Sequence, residues 1–133
     1  MSLIKRIMKH EGFRETPYPD VIHGWDVPTF GHGLTYITKE ESQQIVANRI
    51  RKIEHDLAVK IAFFYLLPNE VQEVLIEMAY QMGVNGTMGF RNMLSELHDQ
   101  SFEAAADEML NSKWAVQTPS RARSLAEIVR SFK

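Results

Sequence analysis

Apolar residues recur with a helical period over most of this chain and lose it between residues 12 and 36. Leu3, Ile4, Ile7 and Met8 share the spacing of one helix face. Ser2 is a candidate N-cap and Gly12 a natural stop, so residues 2–11 are predicted to form a first helix. Residues 12–36 hold four of the seven glycines and three of the five prolines, interleaved with Trp25, Val27, Thr29, Phe30 and Tyr36. That mixture predicts turns and a short β-hairpin. Thr38-Lys39-Glu40-Glu41 has the spacing of a capping box. It opens a long helix with Ile45, Val46, Ile50, Ile53, Leu57 and Ile61 on one side. Pro68-Asn69-Glu70 starts another, in which Val71, Val74, Leu75, Met78, Ala79 and Met82 point inward until Gly83, Gly86 and Gly89 break it. A short helix around 90–97 follows, then one running from a Ser101 cap to about Asn111. A last one is opened by Thr118-Pro119. The expected fold is mainly α, of the α+β type, with residues 1–133 as one domain. A small β-containing lobe covers about 12–38, a helical lobe covers about 60–133 and takes in helix 1, and the long helix joins them.

Composition narrows the chemistry. With no cysteine, disulfides, thiol nucleophiles and thiolate metal sites are excluded. The longest apolar run, Ile61 to Leu67, is too short to span a bilayer, and stable membrane insertion is not expected. The N-terminus reaches charged residues too quickly for a secretory signal. A formal net charge of −2 argues against nucleic acid as a partner, because no basic stripe is available to neutralise phosphates. Five histidines would invert that sign if all were protonated, so charge steering should depend on pH. They invite a zinc reading, with His23 and His32 meeting across the hairpin. No His-Glu-x-x-His spacing supports it, and no metal or other cofactor is expected.

The candidate chemistry begins at Glu11, the next position on the apolar stripe of helix 1. A carboxylate held where a core residue would sit is costly if charged, so burial would favour its protonated form. That is the form a general acid needs near neutral pH. Asp20 comes nine residues later, after the stiff, helix-free Thr16-Pro17-Tyr18-Pro19. One desolvated carboxyl and one in a loop are the minimal equipment for breaking a glycosidic bond. Each residue also has a plain reading: Glu11 as a solvated helix end, Asp20 as a turn-former, Thr29 as an ordinary strand residue, Arg121 as a surface charge. Trp25 reads equally well as a platform for a sugar ring or as a side chain buried against the small lobe.

Six strings, in order, carry a resemblance. They are His10-Glu11-Gly12-Phe13-Arg14; Tyr18-Pro19-Asp20; Pro28-Thr29-Phe30-Gly31-His32-Gly33-Leu34; Ile37-Thr38-Lys39-Glu40-Glu41; Tyr80-Gln81-Met82-Gly83 with Gly86-Thr87-Met88-Gly89-Phe90; and Trp114 to Ala122. The chain resembles the phage-type, T4-like lysozymes over nearly its whole length. The resemblance implies a two-lobed lysozyme-like fold and an inverting muramidase. Such an enzyme cleaves the β-1,4 bond between N-acetylmuramic acid and N-acetylglucosamine in peptidoglycan. It implies Glu11 as general acid, Asp20 as the carboxylate that positions the attacking water, and Thr29 as a second holder of that water. It places Arg121 beside the catalytic glutamate and Tyr18 in support. Gln81, Gly83, Phe90 and His32 become saccharide contacts. It further implies a monomer with no cofactor, made in the cytoplasm and acting on the wall in the periplasm, as an endolysin or a virion component.

Three features depart from the family. The stretch Val21 to Pro28 is longer than T4-like members usually have, and it makes Asp26 a rival to Asp20. The passage from Gly33 to Thr38 is very short. The chain is mildly acidic, where many relatives are basic. Two other functions stay open beside hydrolysis: a non-catalytic peptidoglycan-binding or docking domain, and a lytic transglycosylase. The latter needs an acid but no water-positioning aspartate.

Overall fold

A computed structural model describes residues 2–20 and 24–133, with Asp20 described by its backbone alone. Two compact units emerge, Met1–Ile45 and Val46–Lys133. In the first, α1 spans Leu3–Glu11. The Ser2 hydroxyl accepts a hydrogen bond from the Lys5 amide at 3.3 Å, as its N-cap position requires. The helix stops at Gly12, whose N–H returns to the Met8 carbonyl. α1 sorts with the hairpin, where the sequence grouping had put it with the helical lobe, because its last residue lies against Gly33.

The hairpin pairs β1, Arg14–Asp20, with β2, Gly24–Gly31. Its register sets Arg14 opposite Gly31, Tyr18 opposite Thr29, Pro19 opposite Pro28 and Asp20 opposite Gly24. Asp20 is therefore the last residue of a strand, not a loop residue. Neither Pro19 nor Pro28 has an N–H to donate, so the ladder cannot continue regularly through that pair. The register breaks there, and Trp25, Asp26 and Val27 form the irregular part of β2. The added length of this segment is absorbed partly as a bulge. Val21, Ile22 and His23 lie outside the described residues, and with them the proposed meeting of His23 and His32.

The predicted capping box is present in both directions. Thr38 Oγ1 accepts from the Glu41 amide at 3.1 Å, and Glu41 Oε1 accepts from the Thr38 amide at 3.0 Å. The two bonds open α2, Lys39–Lys60, which begins in the first unit and ends in the second. The backbone bond from Thr38, then its hydroxyl, holds the Glu41 carboxyl below its ordinary pKa. A depressed folded pKa means stability present at neutral pH and lost as pH falls through that depressed value. Thr38→Ala is therefore expected to lower the thermal midpoint at pH 7 and to flatten its decline on acidification. A midpoint series from pH 7 to pH 3 on both proteins checks this; parallel curves would reject it.

The second unit carries the core. All buried apolar side chains among the described residues lie between Leu57 and Val129. α3, Asn69–Met82, runs through the middle and buries Val71, Val74, Leu75, Ile76, Met78 and Ala79. Burial along α2 is confined to its end. Leu57 is buried and Ile61 just beyond the helix as well, while Ile45 and Ile50 on the same stripe are exposed. α8, Pro119–Arg130, packs on α3 and on α6, Phe102–Leu110, and α6 packs in turn on α5, Arg91–His98. Three short elements escaped the sequence pattern. A 3-10 turn, Phe64–Leu66, interrupts the apolar run and buries Phe64. α4, Val84–Met88, continues through Gly86, which had been read as a breaker. A Cβ at Gly86 would meet Met82 Cγ at 3.1 Å, so this glycine serves packing. α7, Lys113–Gln117, is capped by Ser112, which accepts from the Ala115 amide. Ser101 and Thr118 stand at their expected helix starts without making side-chain caps. Thr118 instead donates to the Trp114 carbonyl at 3.0 Å.

Candidate active site

The site residues of the first unit gather around one turn. Phe30 and Leu34 exchange both backbone hydrogen bonds, each at 2.7 Å, and close the loop Gly31-His32-Gly33. Gly31 and Gly33 take φ values of +57° and +72°, the left-handed region that side chains with a Cβ avoid. Gly33 is doubly constrained. A Cβ there would sit 2.8 Å from the carboxyl carbon of Glu11, so the catalytic candidate rests on bare backbone. His32, between the glycines, packs its ring on Phe13, with centroids 5.2 Å apart. That contact ties the turn to the residue just past the end of α1.

Thr29 lies immediately before this turn pair and is buried, at 5% exposure. Its hydroxyl donates to the Val27 carbonyl at 3.3 Å. The oxygen keeps its lone pairs and can still accept from a water. Opposite Thr29 in the ladder is half-buried Tyr18, with the Arg14 guanidinium 5.4 Å from its ring centroid. The Asp20 backbone follows two residues on, opposite Gly24, and Asp26 stands exposed on β2. One expectation fails. Glu11 is exposed, and so are Leu3, Ile4, Ile7 and Met8. The apolar stripe of α1 does not itself desolvate the carboxyl.

In the second unit, Gln81 and Phe90 are brought together by a residue that had been given no role. The Trp114 indole N–H donates to Gln81 Oε1 at 2.9 Å, and Phe90 meets the indole edge-on at 5.9 Å. Phe90 and Trp114 line a pocket of about 360 Å³ together with Arg91, Asn92, Glu108 and Lys113. Gly83 ends α3, and its carbonyl accepts from the buried Thr87 hydroxyl at 3.0 Å. Arg121 stands apart from this group and pairs with Glu77 at 2.8 Å, bridging α8 and α3. Both partners are half exposed, so the pair is worth about 0–1 kcal/mol.

Sequence reasoning missed Gly33, Trp114 and Glu77. The first two had signals, a glycine on each side of His32 and a tryptophan heading the last matching string. Glu77 had none, because its partner is 44 positions away.

A small β-hairpin unit with a glutamate at the end of its helix, and eight α-helices among the described residues, define an α+β protein of the lysozyme type. The chain belongs to the phage lysozyme family, whose sequence model matches residues 8–130. It is 31% identical over 129 residues to a peptidoglycan hydrolase, gp36, of Pseudomonas phage phiKMV, covering 90% of this chain and 14% of that protein. It is 34% identical over 65 residues to a probable T4-type lysozyme 1 of Dictyostelium discoideum, covering 49% of this chain and 38% of that protein. The matched regions thus span well under two thirds of either relative. Among the described residues, no helix is long and apolar enough to cross a membrane.

Proposed function

We propose that this chain is a peptidoglycan hydrolase, a muramidase that cuts the β-1,4 bond between N-acetylmuramic acid and N-acetylglucosamine with inversion. The observation that carries this reading is the seat of Glu11 against Gly33, on the turn that directly follows Thr29. In this reading Glu11 protonates the leaving glycosidic oxygen. Asp20 accepts a proton from the attacking water, and Thr29 Oγ1 accepts a second hydrogen bond from it. The water's lone pair is then directed at the anomeric carbon. Inversion requires the two carboxyls to stand roughly 6.5–9.5 Å apart, with the water between them.

Gln81, Gly83, Phe90 and His32 are proposed as saccharide contacts, with Tyr18 and Arg121 in support. The protein would act as a monomer, without a cofactor, on glycan strands in the periplasm. The phage relative named a peptidoglycan hydrolase supports that substrate.

The test is mass spectrometry of fragments from purified peptidoglycan incubated with the protein. Fragments ending in reducing N-acetylmuramic acid are expected. Anhydro-muramic ends would make the protein a lytic transglycosylase. Intact glycan from pH 4 to pH 8 would favour a binding domain that retains the fold.

A further inference from the structure

The sequence allows Trp25 two equal readings, and its exposure decides between them. The side chain is 65% exposed, whereas the chain's other tryptophan, Trp114, is 7% exposed and hydrogen-bonded to Gln81. Burial against the small lobe is therefore not its role. Exposure leaves the indole face free to stack on a ligand, and its position beside the candidate site is what points to one. Its backbone setting is also particular. Trp25 sits in the irregular part of β2, directly after Gly24, which pairs with Asp20, and four residues before Thr29. The same bulge carries Asp26, exposed beside it. An exposed indole followed in the chain by an exposed carboxylate offers complementary groups to a pyranose unit. The ring's C–H face covers the indole, and hydroxyl or acetamido N–H groups donate to the carboxylate.

We propose that Trp25 is a substrate-binding residue that stacks on one N-acetylhexosamine unit of the glycan, with Asp26 accepting a hydrogen bond from the same sugar. This makes Trp25 and Asp26 of β2 a specificity element. It rests on the muramidase reading, and it offers Asp26 a role different from water positioning.

The test has a binding arm and a kinetic arm. In the binding arm, the N-acetylglucosamine trimer is titrated into Glu11→Gln protein while tryptophan emission is read. Quenching and a blue shift are expected in the difference between Glu11→Gln and Glu11→Gln/Trp25→Ala, which isolates the Trp25 signal from any change at Trp114, whose indole touches Gln81 and Phe90. In the kinetic arm, Trp25→Ala is expected to raise KM on purified peptidoglycan about tenfold with kcat little changed, and Trp25→Phe to restore most of it. An unchanged KM in a protein that cleaves glycan, with no trimer-dependent change in Trp25 emission, would overturn the stacking role and leave the muramidase reading intact. If the wild type does not cleave, that reading fails separately, and the trimer titration alone decides for or against stacking. Unaltered thermal midpoints in the variants exclude a folding effect, as expected for so exposed a side chain.

Discussion

Glu11→Gln should abolish measurable glycan cleavage while leaving the fold intact. The amide keeps the shape that rests against Gly33 but cannot give up a proton to the departing oxygen. Removing a positioned general acid costs about 10²–10⁴ in rate. The stability change should stay within about 0.5 kcal/mol, since Glu11 is exposed and makes no core contact. Turnover of purified peptidoglycan and the denaturant midpoint together check this. Wild-type turnover would remove Glu11 from the mechanism, and a collapsed midpoint would give it a structural role instead. The second carboxylate follows by the same logic. Asp20→Ala should lose activity to a similar degree if Asp20 is, as proposed, the base that aligns the water. Asp26→Ala should mainly raise KM. Equal and small effects on kcat would sink the assignment of Asp20.

The outcome at α1 shows how far amphipathic spacing reaches. The spacing of Leu3, Ile4, Ile7 and Met8 gave the helix, its cap and its stop correctly, because those depend on residues within one turn. It misjudged burial, because burial depends on what packs against the face, and that is not written in the face itself. The same division holds elsewhere. The capping box at Thr38 and Glu41 was readable since both partners lie three residues apart. α3 was readable because its apolar period is long and ends at Gly83. α4 and α7 were not, since five residues are too few to display a period, and Gly86 carries the signal of a breaker while serving close packing against Met82. The hairpin was expected, but its register was not, because the two prolines that break the ladder meet only after pairing. At the site, Glu11, Thr29 and His32 were named from the chain. What Glu11 and His32 rest on was not legible, the bare backbone of Gly33 and the Phe13 ring, nor, within the second unit, was the placing of Trp114 against Gln81 and Phe90.

Gly33 is where that supporting structure can be tested most sharply. Gly33→Ala imposes two separate penalties. The first is backbone strain, since φ is +72° and an alanine there costs about 1–2 kcal/mol. The second is steric, since the new methyl would meet the Glu11 carboxyl group. The clash is with the far end of a flexible side chain, so Glu11 can swing away at little cost in stability. The Glu11 carboxyl, the proposed general acid, is then the group that moves. A displacement of about 1 Å at a reacting group costs on the order of 100-fold in rate. Gly24→Ala separates the two penalties. It shares the left-handed backbone, at φ +59°, but its new methyl would meet nothing within 4 Å. Both variants should lose similar stability in urea, yet at equal folded fraction Gly33→Ala should cleave peptidoglycan about 100-fold more slowly than Gly24→Ala. If the two cleave at the same rate, Glu11 is not positioned by the turn. If Gly33→Ala alone is slow, then the left-handed glycine beneath Glu11 is part of how this chain aims its acid.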